Sequence, residues 1–373
     1  MKSFCVKIFF SFIIFIFTVF ICEFISGSLI THRIKTGSKD YRIEADSYKE
    51  NRNYAKQYFI DHEKIQTEFT PFGIWKNKKL KTQSINVNEN GERFTYKTLK
   101  KTETYIWMFG GSTMFGTGSN DLDTIPSLLS KICEDNNWFI QIKNFGTTGH
   151  VHLQERQMME ELIINKKNTV PQMVIFLDGI NDTFAAYQSG KQNTINNQKE
   201  IENKIYLKST PHILFSFWFS NSSIFKIFTY INNGNLGWVD LQNEKNINLD
   251  LLSSNVLKNY CHQICFTKKM LDTYKVKSFF FWQPSIFSDK KKTSWEYKIL
   301  KRKTNLQNLF SAIQTQAKLN LCTNAISIDN IFENISEPVW IDAFHTGPHG
   351  NKIIAERIWQ EINKKPDLNN TQK

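Results

Sequence analysis

Four short blocks of this 373-residue chain carry side chains that could do chemistry together. "FGGSTMFGTG" (109–118) sets Ser112 behind Gly110 and Gly111. "NFGTTGH" (144–150) holds Gly146, "DGIND" (178–182) holds Asn181, and "WIDAFHTGPHGN" (340–351) places Asp342 three residues before His345. A serine hydroxyl is a weak nucleophile at neutral pH and needs a base within hydrogen-bond reach, a role for which an imidazole such as His345 is suited. Asp342, on the same loop, can orient that imidazole and stabilise its cation. Taken singly, each block has a plainer reading: Ser112 as a turn serine, Asn181 as a helix cap, Asp342 and His345 as a surface turn. The glycines before Ser112 would also suit a phosphate cradle, but the Lys-Ser/Thr ending of a P-loop and the Rossmann spacing are both missing. His150 and His152 read as ordinary histidines near Gly146, Asp178 and Asp182 as structural neighbours of Asn181, and Gln283 in "FWQP" as the end of a strand closed by Pro284.

The elements that must position these residues are short apolar runs separated by helical periodicity. "YIWMF" (105–109), "FIQIKN" (139–144), "MVIFL" (173–177), "SFFFW" (278–282) and "AISI" (325–328) read as strands. Between the first two, Ile125, Leu128, Leu129 and Ile132 make one apolar helical face; "LQERQMMEELI" follows the second, and Ile354, Ile358 and Ile362 form a stripe near the C-terminus. Strand and helix in alternation imply a parallel sheet covered on both faces. In such a sheet, ligands sit beyond the carboxyl ends of the strands, where the first three blocks fall. Glycine after the first strand would let the chain turn tightly and present Ser112 at the sheet rim.

As an ordered set, the four blocks resemble the SGNH, or GDSL-type, serine hydrolase family over residues 103–363, in a form similar to its membrane-anchored bacterial members. "GGST" stands where the family has Gly-Asp-Ser-Leu, so Gly111 replaces an aspartate. The resemblance implies a three-layer α/β/α, flavodoxin-like fold and a catalytic triad of Ser112, His345 and Asp342. It further implies an oxyanion hole built from the backbone N–H groups of Ser112 and Gly146 and the side-chain amide of Asn181, with neither cofactor nor metal.

Composition bounds the rest. Hydrophobic residues make up 40% and charged residues 22%, a globular balance, with 31 Phe and a formal charge of +12. Lys is spread along the chain without a basic stripe, so the charge reads first as a composition bias; as a functional surface it would suit an acidic glycan or lipid headgroups, and nucleic acid is not an expected partner. Residues 8–22 are apolar and uncharged, and the apolar character resumes after Glu23 through Ile30. That segment, 1–30, is expected to be an uncleaved membrane anchor carrying the catalytic domain on the extracytoplasmic side, with a cleaved secretion signal as the alternative. Residues 31–100 are expected to be a lead-in extension packed on the core, 101–365 the hydrolase domain, and 366–373 a flexible tail. Within that domain, 186–252 is expected to be a helical surface insertion, its segment 213–231 forming a cap helix rather than a second span. Cys133, Cys261, Cys265 and Cys322 lack metal-site spacing, and export would permit disulfides among them in a pairing the sequence leaves open. The expected activity is removal of O-acyl groups, O-acetyl above all, from a cell-surface polysaccharide through an acyl-enzyme. The alternatives are O-acyl transfer at the same site, lipid or lysophospholipid ester hydrolysis, and non-catalytic glycan binding.

Overall fold

The structure, a computed structural model, describes residues 2–36, 40–100, 102–165, 170–206, 222–224, 247–302 and 304–364. They fall into two compact units: Met1–Tyr41 with Asn197–Leu241, and Arg42–Asn196 with Gln242–Lys373. The first unit holds one long helix, Lys2–Thr36, in which the 21-residue stretch Phe9–Leu29 has a mean hydropathy of 2.4. At about 1.5 Å per residue, that stretch is long and apolar enough to cross a membrane. Glu23, the acid within it, accepts the backbone N–H groups of Ser223 and Ile224.

The second unit is built on a five-stranded parallel sheet. Its strands are β5 (Tyr105–Gly110), β6 (Gln141–Asn144), β7 (Met173–Asp178), β8 (Lys277–Trp282) and β9 (Ala325–Ser327), in the order β6-β5-β7-β8-β9. The order reverses between the first two strands, which gives the doubly wound α/β arrangement. Alternate residues feed two cores. Ile106, Met108, Ile175, Leu177 and Phe281 point to the face covered by the helices Ile125–Asp135 and Pro348–Asn363. Trp107, Phe109, Val174, Phe176 and Phe280 point to the face covered by His152–Asn165, Leu249–Thr273 and Thr304–Asn320. Because both faces are buried, the strands read as continuous apolar runs rather than alternating ones. On the second face, Phe109 stacks on Phe145 at 5.2 Å and on Phe176 at 5.4 Å, and Phe176 on Phe280 at 5.2 Å. Four phenylalanines, Phe145, Phe109, Phe176 and Phe280, thus form a ring ladder running across the strands.

Residues from Arg42 to Lys100 fold with the sheet as part of the same unit. They form the helix Arg52–His62 and two antiparallel pairs: β1 (Thr67–Thr70) with β2 (Ile74–Asn77), and β3 (Leu80–Lys81) with β4 (Asn86–Val87). Ile43, Tyr48, Tyr58, Phe59 and Ile85 make a third apolar cluster that takes in Phe115 and Ile341, from the block that carries Ser112 and the block that carries His345. Arg93 is fully buried: its Nε bonds Asp121 at 3.0 Å, while Nη1 and Nη2 donate to the carbonyls of Phe115, Gly116 and Ser119. Its own N–H donates to the Asn144 carbonyl on the outer edge of β6.

Only parts of the expected insertion, 186–252, are among the described residues. Residues up to Ser189 complete the helix Ile180–Ser189, and Leu249 begins the helix Leu249–Thr273. Between them a helix spans Gln198–Tyr206, while the expected cap helix at 213–231 lies outside the described residues except for 222–224. Cys261 and Cys322 form a disulfide across 61 residues of chain, while Cys133 and Cys265 are free thiols.

Candidate active site

Strand β5 ends at Gly110, and a single helical turn, Ser112–Phe115, begins two residues later with the Ser112 side chain half-buried. Gly111 has φ −77, a value open to any residue, so the glycine is not required by the turn itself. It is required by space: a Cβ there would collide with the Asn181 side-chain nitrogen. The carboxylate expected at this position in the resembling family would need the volume that the Asn181 amide fills.

His345 and Asp342 arrive on a loop held from several directions. Val339 and Trp340 donate their N–H groups to buried Glu296, whose other oxygen takes Lys290 at 2.9 Å. Ile286 N–H binds the Ala343 carbonyl and Ile341 N–H the His345 carbonyl. Asp342 accepts the N–H groups of Phe344 and His345, both at 2.9 Å, and its two oxygens lie 2.8 and 2.7 Å from His345 Nδ1. An ionised carboxylate can only accept, so Nδ1 carries the proton and Nε2 presents a lone pair. That Nε2 lies 2.7 Å from Ser112 Oγ, across 233 residues of sequence. Arg42 Nη1 adds a longer contact to Asp342 Oδ2 at 3.4 Å. Burial by itself would raise the Asp342 carboxyl, but the facing His345, its hydrogen bonds and Arg42 outweigh it and hold the group well below the usual carboxylate range.

An anion forming at a carbonyl beside Ser112 would need donors, and one of the expected ones is already committed. Gly146 N–H donates to Asn144 Oδ1 at 2.9 Å, closing a local turn. A Cβ on Gly146 would run into the backbone of Met114 and Phe115, so this glycine serves close packing of the loop on the helical turn that starts at Ser112. The expectation that Gly146 supplies an open N–H is therefore corrected. Gly149, three residues on, has φ +79, which favours glycine, and its N–H has no partner among the described residues. The next residue, His150, gives its carbonyl to Asn181 Nδ2 at 2.7 Å, which fixes that amide over Gly111 with its second hydrogen unassigned. Ser112 N–H, at the start of its helix, is likewise without a partner among the described residues. Sequence reasoning missed Gly149, although Asn-x-Gly is a signal: asparagine side chains commonly capture the backbone N–H two residues on.

Two lead-in residues and Asn196 brace this loop. Asn77 Nδ2 donates to the Gly146 carbonyl at 2.8 Å, Trp75 Nε1 to Thr148 at 3.0 Å, and Asn196 Nδ2 to Gly149 at 2.6 Å. His150 Nε2 donates to the Trp75 carbonyl at 2.7 Å, and burial pushes its pKa down to about 4. Gln283 does not point to an open site: its Nε2 donates to Thr113 Oγ1 at 3.2 Å. On the far side of the ladder, His152 bonds Asp178 through Nδ1 at 2.8 Å and Thr267 through Nε2 at 2.9 Å. His152, Glu155 and Asp178 could offer ligand atoms within 4.8 Å of one another, but both His152 nitrogens are hydrogen-bonded. Burial and then the Asp178 charge push Glu155 well up. Burial and Asp178 likewise raise half-buried Asp182 to about 7.

No protein-family model and no curated protein matches the sequence. Among solved structures, an acetyl xylan esterase matches at 13% identity and a TM-score of 0.36, over 69% of this chain and 99% of its own. A lipase from a goat rumen metagenome matches at 13% and 0.38, over 69% and 96%. A GDSL-like lipase from Bacteroides thetaiotaomicron matches at 13% and 0.31, over 70% and 89%. Likenesses this distant carry no inference about activity, which has to be read from the geometry around Ser112.

Proposed function

We propose that this chain is a serine ester hydrolase with Ser112 as nucleophile, His345 as general base and acid, and Asp342 as the group that orients it. The observation that carries the reading is the hydrogen-bonded line from Ser112 Oγ through the His345 ring to Asp342, with the Nε2 lone pair facing the hydroxyl. In the first half-reaction, Oγ attacks the ester carbonyl as its proton passes to Nε2; the C–O bond then breaks and the departing alcohol takes that proton. In the second, water repeats the sequence on the acyl-serine and releases the acid. The Ser112 N–H, the Gly149 N–H and the second hydrogen of Asn181 Nδ2 would hold the oxyanion in both halves.

The substrate is read as an O-acylated, chiefly O-acetylated, cell-surface polysaccharide. Phe184 and Phe344, both half-buried with rings 6.1 Å apart, bring an apolar wall close to Asn181 and His345 that suits a small acyl group. The enzyme is read as membrane-held through Phe9–Leu29 with its catalytic unit outside the cytoplasm; the Cys261–Cys322 disulfide supports an oxidising compartment. A fluorophosphonate probe tests the reading directly. Covalent labelling and p-nitrophenyl acetate turnover that both vanish in Ser112→Ala are expected; a folded wild-type protein that neither labels nor hydrolyses would overturn it. Product partitioning with an added oligosaccharide acceptor separates hydrolysis from acyl transfer.

A further inference from the structure

Away from Ser112, the outer edge of β6 and the segment Glu92–Lys97 enclose a groove of about 380 Å³, continued by Leu80–Lys81 and Asn86–Asn88. Four lysines, Lys79, Lys81, Lys97 and Lys143, line it together with the carboxylate of Glu92. Lys79 is paired with Glu89 at 2.7 Å. Lys81 and Lys97 are exposed and have no carboxylate partner among the described residues, and Lys143 lies over the Tyr105 ring, its ammonium 5.0 Å from the centroid. Arg93 adds no charge to the opening, because its guanidinium is turned inward to Asp121.

Ammonium groups gathered around a concave surface repel one another, and their low-dielectric walls focus the field into the groove, where an anion would relieve the repulsion. The volume falls within the range of ordinary ligand clefts. Phe94, 40% exposed, offers a ring face, and Asn86, Asn88 and Gln141 offer amides, so the surface combines positive charge with groups that suit hydroxyls and the apolar face of a sugar ring.

We infer that this groove binds an acidic, uronate-bearing oligosaccharide and holds the polymer along the sheet edge, outside the Ser112 site. The choice of a glycan over other polyanions rests on the reading of the enzyme as a polysaccharide deacylase; the preference for anions rests on the lysines alone.

Affinity electrophoresis of the full chain in detergent, through gels containing polygalacturonate or neutral dextran, tests it. The exposed pair Lys81→Gln/Lys97→Gln removes charge without touching the core. Polygalacturonate is expected to retard the wild type and dextran not to. The double variant should bind polygalacturonate about tenfold more weakly, with added salt weakening the wild type in the same direction. Unchanged retardation of the double variant would overturn the assignment, as would equal retardation by dextran, or retention of oligothymidylate as strong as that of polygalacturonate. Turnover of p-nitrophenyl acetate should be the same in the double variant and the wild type, and Ser112→Ala should keep its retardation. A folded wild type that neither labels nor hydrolyses the ester would remove the esterase reading and leave anion binding at the groove to be judged on retardation.

Discussion

On the proposed mechanism, loss of the Ser112 hydroxyl would remove the bond-forming atom, whereas loss of the groups behind it would remove only help, and the two kinds of variant should separate in kinetics. His345→Ala is expected to lower kcat/KM by roughly 10⁵–10⁶-fold. Asp342→Asn should cost less, on the order of 10⁴-fold, because the carboxylate holds a tautomer rather than carrying the proton. Undiminished turnover in both would contradict the assigned roles. Asn181→Ala should lower kcat by about 3 kcal/mol in transition-state stabilisation with KM little changed; a change confined to KM would make the amide a binding group instead. Ser112, His345 and Asp342, which the structure joins in one hydrogen-bonded line, were legible in the sequence because each stands at a strand end or in the loop before the last helix. The oxyanion loop was legible only in part. Gly146 and Gly149 lie three apart in one block, and which N–H stays open depends on where the Asn144 side chain turns, a choice of local hydrogen bonding that the order of the blocks does not fix.

At the scale of elements, the strands emerged from the apolar runs nearly to the residue, since a strand buried on both faces has no polar side to blur its ends. The lead-in was harder to read. Its strands are two to four residues long, too short for a periodic signal, and its contacts, such as Asn77 to Gly146 or Arg42 to Asp342, join residues 69 and 300 positions apart. Those contacts give β2 a task beyond its own pairing: it steadies the loop that carries Gly149 and His150. Asn77→Ala would leave the Gly146 carbonyl short of a buried partner, at a cost of about 1–3 kcal/mol. The melting temperature should fall, and kcat should fall with it in assays well below that temperature. A variant that melts lower but turns over normally would reduce Asn77 to a purely structural strut.

For the whole molecule, acid and base act on stability in opposite senses. Asp342 is held below its usual pKa of 3.8, so the stability it contributes is full above that value and is lost as pH falls through its folded-state pKa. Asp182 is raised from 3.8 to about 7, so the folded chain holds a proton that the unfolded chain gives up, and stability declines as pH rises across that interval. Asp182→Asn should flatten this decline in a series of thermal melts from pH 4 to pH 7; parallel curves for variant and wild type would show that Asp182 titrates normally. The disulfide acts at the same scale. Cys261→Ser/Cys322→Ser removes a link spanning 61 residues, which by loop closure alone is worth about 4 kcal/mol, and it should unfold at lower urea than the oxidised parent. Arg93 reaching across to Asn144 has a practical consequence for anyone trimming this protein. A clone started at residue 101, just ahead of β5, would strip the rim of β6 of its cover and empty the socket filled by the arginine. Such a fragment should accumulate in inclusion bodies, its bare strand free to recruit copies of itself, whereas a fragment that starts near residue 40 should keep that edge covered.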